Sequence, residues 1–398
     1  MLFKLEHLFN SGLMFLFLVY LAGHSAAAEY GYFATALAYY YLFLLLLNST
    51  ALEPMQLVLS RPRGNGQSGS ALATAQNSSL LTWLAGLLVV AAAAVTQPVS
   101  LESLLAVYLA GLLGAQTQIA RRMMLAMGRR RALVIAAAWN LVSLAVALSC
   151  AALGWSSPAL AFLCWQGLSG LACGAWLLRE RTSSGMARAR HLAAIRRFFS
   201  RYALRNLMLV PTAWLFGNFV FVAGPLLLSA GQISDYRKAM NFTSPLLQYF
   251  SITGVIFLSR CAASPGLATA VRGILRAAVK RLAMLGAYAL VAIACVAALA
   301  GSEGVWRYLP SHAAALPLFL ASLAYVYVES LNYLAGSAFR ANRMMRPLAL
   351  MSVLPCVALC AYSVLLRPAT PTQLVIAATL VSLAVLTISI RFAPKLQP

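Results

Sequence analysis

Long uninterrupted apolar runs are the feature of this chain that most restricts its fold. Residues 132–153, for example, contain no charged side chain. A helix needs about 20 apolar residues to cross a hydrocarbon core of about 30 Å. Transmembrane β-strands would instead show alternating segments of about 10 residues, and the sequence has no such alternation. The chain is 62% hydrophobic and only 10% charged. These features predict an all-α integral membrane protein.

Twelve apolar runs separated by polar breaks predict about 12 transmembrane helices. They lie near 10–26, 33–59, 79–95, 102–120, 132–153, 158–178, 206–228, 236–259, 282–300, 315–338, 348–366 and 373–391. Seven scattered cysteines show neither the spacing of a zinc site nor that of a disulfide framework. We therefore expect no metal site.

Basic residues are concentrated in alternate loops. The segment QIARRMMLAMGRRRALVIAAAWN (118–140) places five arginines between two apolar runs. If the twelve runs all cross the membrane, 26 of the 30 basic residues fall on one side. The positive-inside rule makes that side the cytoplasm, so both termini are predicted to be cytoplasmic. The same placement explains the net charge of +22 without a nucleic-acid partner.

The chain divides into two halves around a basic segment. Six runs precede and six follow residues 179–205, so we predict an N-terminal bundle (1–178), a basic cytoplasmic linker (179–205) and a C-terminal bundle (206–398). The linker is either an amphipathic helix that lies on anionic headgroups or a solvated segment. Weak echoes between the halves, such as LSR at 59–61 and 258–260, favour two parallel six-helix bundles around a central cavity.

Two short motifs resemble those of polysaccharide flippases. One is LAMGRRRAL (125–133), which is followed by Asn140, and the other is EYGYFATALAYYY (29–41). These flippases belong to the multidrug/oligosaccharidyl-lipid/polysaccharide (MOP) exporter superfamily. The resemblance implies a multi-pass protein of the bacterial inner membrane. It would move an undecaprenyl-diphosphate-linked oligosaccharide from the inner to the outer leaflet by alternating access. Membrane lipids, a polysaccharide polymerase and glycosyltransferases are the further partners that it implies.

A diphosphate with attached sugar requires cationic and amide side chains along its path. In the family, the first, second, seventh and eighth spans would line the cavity. Arg237 and Lys238 open the eighth span and are candidates for the diphosphate, although snorkelling to lipid headgroups is the competing interpretation. Four amides complete the candidate substrate-binding set: Asn48, Asn140, Asn218 and Asn241.

Acidic residues within spans are candidates for coupling transport to a proton or Na⁺, and no other cofactor is expected. Glu329 lies in the middle of the tenth span and Glu53 lies near the end of the second, just before Pro54. Glu53 could instead face cytoplasmic water or pair with Arg61, and Glu329 could instead be a hydrogen-bond partner between helices. Asp235 is a third coupling candidate. Asp235 and Glu29 are also predicted to cap the helices that begin beside them.

Other functions fit the sequence less well. A multidrug exporter of the same superfamily would need acids facing cationic drugs, and only eight acidic residues exist. A major-facilitator carrier would place an acid in the loop SRPRGNGQSGS, which has none. Metal-dependent transfer enzymes need clustered carboxylates, so we expect a non-enzyme. A non-transporting component of a polysaccharide export complex stays open.

The charge distribution predicts the outcome of reporter fusions. A green fluorescent protein fused after Pro398 should fluoresce, and alkaline phosphatase fused there should be inactive, because that end is predicted to be cytoplasmic. Alkaline phosphatase inserted after Pro310, in a loop predicted outside, should be active. The opposite pattern at either position would contradict the assigned topology.

Overall fold

A computed structural model describes residues 2–59, 68–183, 189–207, 210–263, 267–299, 307–341 and 344–392. All regular structure in these ranges is helical. The first seven helices are α1 (Leu2–His24), α2 (Ala27–Leu47), α3 (Glu53–Leu59), α4 (Ser68–Thr96), α5 (Leu101–Ala126), α6 (Arg130–Ala152) and α7 (Pro158–Ser183). The remaining eight are α8 (Ala189–Leu207), α9 (Val210–Gly217), α10 (Phe219–Ala223), α11 (Ala230–Ala263), α12 (Leu267–Leu299), α13 (His312–Ala341), α14 (Met345–Leu366) and α15 (Pro371–Phe392).

Nine helices in the described ranges are long and apolar enough to cross a membrane, counting α2 and α3 as one continuous helix. Large apolar side chains on them point away from the protein, and Leu88 and Val95 are 75% and 87% exposed. Apolar surface of this kind is suited to lipid rather than water. The prediction of an all-α, multi-pass membrane protein is confirmed.

The chain forms two compact units, which do not follow a single cut in the sequence. Unit 1 contains residues 1–13 and 32–214, and unit 2 contains residues 14–31 and 215–398. The second half of α1 and the first turn of α2 therefore pack with the C-terminal unit. The predicted roles of 1–178, 179–205 and 206–398 as two bundles and a linker stay a prediction.

Local sequence explains two departures from the predicted spans. The run at 206–228 is broken into α9, α10 and a 3₁₀ turn (Gly224–Leu226). Gly217 and Asn218 favour helix ends, Asn218 adopts φ −120° and ψ 19°, and Pro225 lacks a backbone donor. The second departure is a π-helical turn, Asn48–Leu52, inside the second span. It ends two residues before Pro54, whose missing N–H disturbs the regular α-helical ladder.

Two predicted helix caps are wrong. α11 begins at Ala230, so Asp235 lies in its second turn, and Glu29 lies inside the first turn of α2. Ser229 caps α11 instead: its Oγ accepts a bond from the Gln232 amide at 3.3 Å, and the Gln232 side chain accepts one from the Ser229 amide at 2.9 Å. This capping box satisfies donors that would otherwise lack partners and allows the helix to start before the charged residues.

The arginine-rich turn between α5 and α6 has a structural role besides orientation. Gly128 adopts φ +68°, a conformation that glycine tolerates best. The Arg129 amide then bonds to the Met124 carbonyl at 2.8 Å, as in a Schellman C-cap. The Arg129 side chain forms an ion pair with Glu180 of α7. Arg122 donates to Gln56 of α3 at 2.9 Å. The turn therefore connects several helices of unit 1.

Unit 1 is built around an aromatic cluster and a close helix pair. The rings of Phe43, Trp83 and Tyr108 have centroids 4.8 to 5.7 Å apart, and the Tyr108 hydroxyl donates to the Trp83 carbonyl at 2.7 Å. α5 packs closely against α7 because Gly170 lets the Leu113 carbonyl approach its Cα. Small residues at such contacts are typical of membrane helix packing.

Helix α8 occupies the predicted basic linker and is amphipathic. Its apolar side chains Ile195 and Phe199 are buried, and Leu192 and Phe198 are half-buried. The helix packs against α3, α4 and the π-helical turn of unit 1, while Arg196, Arg197 and Arg201 are exposed. The apolar stripe therefore covers the protein's own helices.

Unit 2 is centred on α13, which packs against α11, α12, α14 and α15. Arg281 was expected in a cytoplasmic loop, but it lies within α12 and is only 5% exposed. It donates to the Ser330 carbonyl of α13 and, at 3.3 Å, to the Phe250 carbonyl of α11. Its guanidinium also lies over the Phe250 ring, 4.8 Å from the centroid. A buried cation is stable only with such partners.

The α5–α7 contact predicts a difference between two glycines on α7. Gly170→Ala should lower the free energy of unfolding by about 1–3 kcal/mol, because the new Cβ would clash with the Leu113 backbone. Gly174→Ala is the matched control, since its Cβ would make only an ordinary contact with Gln116. Thermal unfolding in detergent measures both. Equal melting temperatures would show that the close approach is not rigid.

Candidate functional site

Glu53 lies at the junction of three elements in unit 1. Its Oε1 accepts a bond from Asn48 Nδ2 at 2.7 Å, and its Oε2 accepts one from the Tyr202 hydroxyl at 2.6 Å. Asn48 begins the π-helical turn, and Tyr202 belongs to α8. The arrangement joins the irregular part of the second span to the linker helix. Because all three side chains are half-buried, the carboxylate is partly open to water.

Asn140 is held inside unit 1. Its Nδ2 donates to Asn10 at 2.9 Å, and its Oδ1 accepts from the Trp165 indole at 2.9 Å. Both ends of the amide are therefore engaged, and direct contact with a substrate would require these bonds to open. The substrate-binding role of Asn140 stays a prediction.

The start of α11 collects three of the predicted site residues. Arg237 is 8% exposed and lies over the Phe221 ring at 5.5 Å. Lys238 is half-buried and is attracted by Asp235, the residue three positions earlier. Asp235 accepts bonds from the backbone and hydroxyl of Ser311 at 3.1 and 2.8 Å. Of the two cations, only Lys238 keeps a partly accessible side chain.

Asn241 lies one turn after Arg237 and is 1% exposed. It donates to the Tyr30 hydroxyl at 2.8 Å, which in turn donates to the Leu18 carbonyl at 3.1 Å. These residues all belong to unit 2. A buried amide in this position stiffens the contact between α11, α1 and the start of α2. Any role in substrate binding would be indirect unless these contacts open.

Glu329 is held by polar side chains in the middle of unit 2. Its Oε1 accepts bonds from Ser382 Oγ at 2.7 Å and from Asn332 Nδ2 at 2.8 Å. Ser382 belongs to α15, so the carboxyl group connects two helices. An ionisable residue within a transmembrane helix is energetically costly, so Glu329 is a candidate for proton or cation coupling.

Asn218 lies at the break between α9 and α10. Its carbonyl accepts bonds from the amides of Phe221 and Val222 at 2.9 and 3.0 Å. The half-buried side chain sits where the seventh span is irregular. Irregular backbone at membrane depth is tolerated where protein or a cavity surrounds it.

Two hydrogen-bond partners of Glu53 and Glu329 were not predicted from the sequence. Tyr202 was read only as part of a basic linker, and Ser382 only as one serine in an apolar run. The sequence carries no signal for either pairing, because Tyr202 is 149 residues from Glu53 and Ser382 is 53 residues from Glu329. Both contacts depend on how distant helices pack.

Several solved structures share the fold of this chain, although no similar sequence was found. No family model matches the sequence, and a search of curated proteins found no match. Among solved structures, the chain is similar to the lipid II flippase MurJ in an inward closed conformation. The TM-score is 0.69 and the identity 11%, over 99% of this chain and 87% of that one. The chain has the fold of the MOP transporters.

Two further structures support that fold assignment. An inward-facing multidrug resistance MATE family transporter of the MOP superfamily has a TM-score of 0.65 and 11% identity, over 98% of this chain and 94% of that one. A MOP superfamily transporter from Pyrococcus furiosus, described as having a binding pocket of reverse polarity, has a TM-score of 0.61 and 10% identity, over 98% and 93%. The resemblance seen in the motifs is confirmed at the level of the MOP fold.

The contact between Tyr202 and Glu53 predicts that α8 depends on one hydroxyl. Tyr202→Phe should increase amide hydrogen exchange in 189–207 about tenfold, since a hydrogen bond to a charged group contributes about 1.5–3 kcal/mol. Mass spectrometry of peptides from α8 measures the exchange. Ser200→Ala, which removes an exposed hydroxyl of the same helix, is the control. Unchanged exchange in Tyr202→Phe would show that apolar packing alone holds α8.

Proposed function

We propose that this protein is an ion-coupled flippase. It moves an undecaprenyl-diphosphate-linked oligosaccharide from the inner to the outer leaflet by alternating access. Support comes from the MOP fold, whose solved examples include a lipid II flippase. At 11% identity that likeness supports the fold, and the support for the substrate comes from this chain's own side chains.

A diphosphate carries concentrated negative charge, which is costly to bring into hydrocarbon without cationic partners. The observation that carries the proposal is the pair Arg237 and Lys238 within the second and third turns of α11. Lys238 is the group that binds phosphate oxygens directly, because its ammonium is only half-buried. Arg237, which is packed on the Phe221 ring, adds positive charge next to Lys238 in the sequence. Asn241 holds this part of α11 in place through Tyr30.

The sugar requires neutral hydrogen-bonding groups. Within unit 2, the amide of Asn218 is suited to this role because it is half-buried and lies where the seventh span is interrupted. The substrate-binding roles of Asn48 and Asn140 in unit 1 stay predictions, since Asn48 donates to Glu53 and Asn140 is bonded to Asn10 and Trp165.

The acidic residues favour an anionic over a cationic cargo. Five of them accept hydrogen bonds from other side chains of the protein, which reduces their availability to a positively charged drug. They are Glu53, Glu102, Glu180, Asp235 and Glu329. A multidrug transporter is nevertheless the alternative proposal, because the MATE structures share the fold. A non-transporting component of an export complex is the second alternative.

Glu329 is our choice for the coupling site, with a proton as the ion. Its carboxyl group lies in the middle of α13, and its hydrogen-bond donors Asn332 and Ser382 are neutral. No fixed positive charge in these contacts therefore competes with a proton for the carboxylate. Glu53 and Asp235 are the other candidates. Both lie nearer the ends of their helices.

The substrate assignment predicts a specific loss of affinity. Lys238→Gln should weaken binding of a short-chain lipid diphosphate-linked oligosaccharide about tenfold or more, because one charge-assisted hydrogen bond contributes about 1.5–3 kcal/mol. Isothermal titration calorimetry on the purified protein measures the dissociation constant. Binding of the matching neutral sugar without diphosphate should be much weaker in both proteins.

Lys280→Gln is the matched control, because Lys280 is an exposed lysine of α12 in the same unit. It should bind the diphosphate ligand as the unchanged protein does. Equal losses in both variants would indicate a general effect of charge. Binding of cationic drugs together with no binding of the diphosphate ligand would support the multidrug alternative.

A further inference from the structure

Helix α8 has two faces of opposite character. Ile195 and Phe199 are buried against unit 1, and the arginines Arg196, Arg197 and Arg201 are exposed on the other side. Residues four apart on a helix are neighbours, so the Cβ atoms of Arg197 and Arg201 are about 5–6 Å apart. These three arginines are called the arginine face below.

The described part of the chain supplies no counter-charge to the arginine face. None of its three guanidinium groups forms a hydrogen bond or an ion pair with another described residue. The sequence contains no aspartate or glutamate from residue 181 to residue 234. Glu53, the acid that α8 does contact, is bound by Tyr202 on the opposite face. Like charges four residues apart destabilise a helix. The counter-charge is therefore expected from outside the chain.

The position of α8 along the chain places the arginine face at the level of lipid headgroups. The apolar run of the seventh span begins near residue 206, five residues after Arg201. Five residues of helix are about 8 Å long, and the headgroup region on each side of the hydrocarbon is about 5–8 Å thick. Leu204, between Arg201 and the span, is 71% exposed, which suits a side chain in contact with acyl chains.

The chemistry of the arginine face matches an acidic phospholipid. A guanidinium group binds phosphate oxygens through two parallel hydrogen bonds. A phosphate between Arg197 and Arg201 would accept bonds from both and offset their repulsion. Ile195 and Phe199 are buried in the protein, so these side chains do not insert between lipids. Recognition then depends on the charge of the headgroup, which favours acidic over zwitterionic lipids.

We propose that the arginine face of α8 binds the headgroups of acidic phospholipids in the leaflet predicted to be cytoplasmic. A lipid phosphate lies between Arg197 and Arg201, while Tyr202 binds Glu53 on the opposite face. Acidic lipid thus holds α8 against the π-helical turn of the second span. The surface belongs to unit 1 and the proposed diphosphate site to unit 2, so this proposal does not depend on the substrate of the proposed function.

Photo-crosslinking of the full chain in lipid nanodiscs tests the lipid class without any transport assay. The probes are phosphatidylglycerol and phosphatidylcholine, each with a photoreactive group next to the phosphate, and mass spectrometry identifies the labelled peptides. Phosphatidylglycerol should label peptides of α8 about fivefold more than phosphatidylcholine, or better, because each basic residue near an acidic surface adds to its attraction. The double variant Arg197→Gln/Arg201→Gln should lose this preference.

Arg130→Gln/Arg131→Gln is the matched control. It removes the same charge from two exposed arginines at the start of α6 in the same unit, and it should keep the preference at α8. All three proteins should have the same melting temperature in phosphatidylcholine alone, because the substituted side chains are exposed. An equal loss of labelling in both double variants would indicate a general effect of charge and overturn the proposal.

Two further results would also overturn the proposal. Equal labelling of α8 by both lipids in the unchanged protein would show that the arginine face does not select acidic headgroups. Loss of the preference on addition of millimolar inorganic phosphate would show a site for free anions rather than for lipid. Hydrogen exchange adds a second readout: phosphatidylglycerol should slow exchange in 189–207 in the unchanged protein and the control, but not in Arg197→Gln/Arg201→Gln.

Discussion

The hydrocarbon interior offers no hydrogen-bond partner, and every other feature of this protein follows from that constraint. Backbone groups are satisfied within helices, so the chain crosses the membrane as helices throughout its described ranges. Where a helix is interrupted, nearby side chains form hydrogen bonds with the backbone groups. Ser49 and Thr50 donate to the Leu46 carbonyl at 3.0 and 2.8 Å beside the π-helical turn. Polar side chains follow the same rule, and this pairing determines which of them remain open to a substrate.

The polar pairing differs between the two units and suggests different roles for them. In unit 1, Glu53 connects the π-helical turn to the amphipathic helix α8 at the end predicted to be cytoplasmic. In unit 2, the half-buried Glu329 joins α13 to α15, and the cations Arg237 and Lys238 lie near the start of α11. Under the proposed function, ion coupling and diphosphate binding belong to unit 2. In unit 1, Glu53 joins the linker helix to the irregular second span through Tyr202 and Asn48.

The sequence was sufficient for the helical class and for the approximate position of most spans, because both depend on local apolar runs. It did not indicate the special turn at Gly128, because the arginine-rich segment was interpreted only in terms of orientation and family resemblance. It did not indicate that the seventh span is broken, although Gly217, Asn218 and Pro225 contain the signal. It could not place Tyr202 beside Glu53, or Ser382 beside Glu329. Such contacts depend on packing between helices far apart in the chain, and in an apolar chain many alternative pairings have similar local patterns.

The central claim is that a MOP-fold chain rich in cations and poor in available acids moves an anionic lipid-linked head group. Reconstitution in liposomes that contain a fluorescent diphosphate-linked oligosaccharide lipid tests this most directly, with dithionite quenching of the label in the outer leaflet. We expect the protein to equilibrate this lipid between leaflets faster than it equilibrates a neutral lipid with the same sugar, and to leave a cationic drug inside the vesicles. Movement of the drug with no movement of the diphosphate lipid would contradict the account.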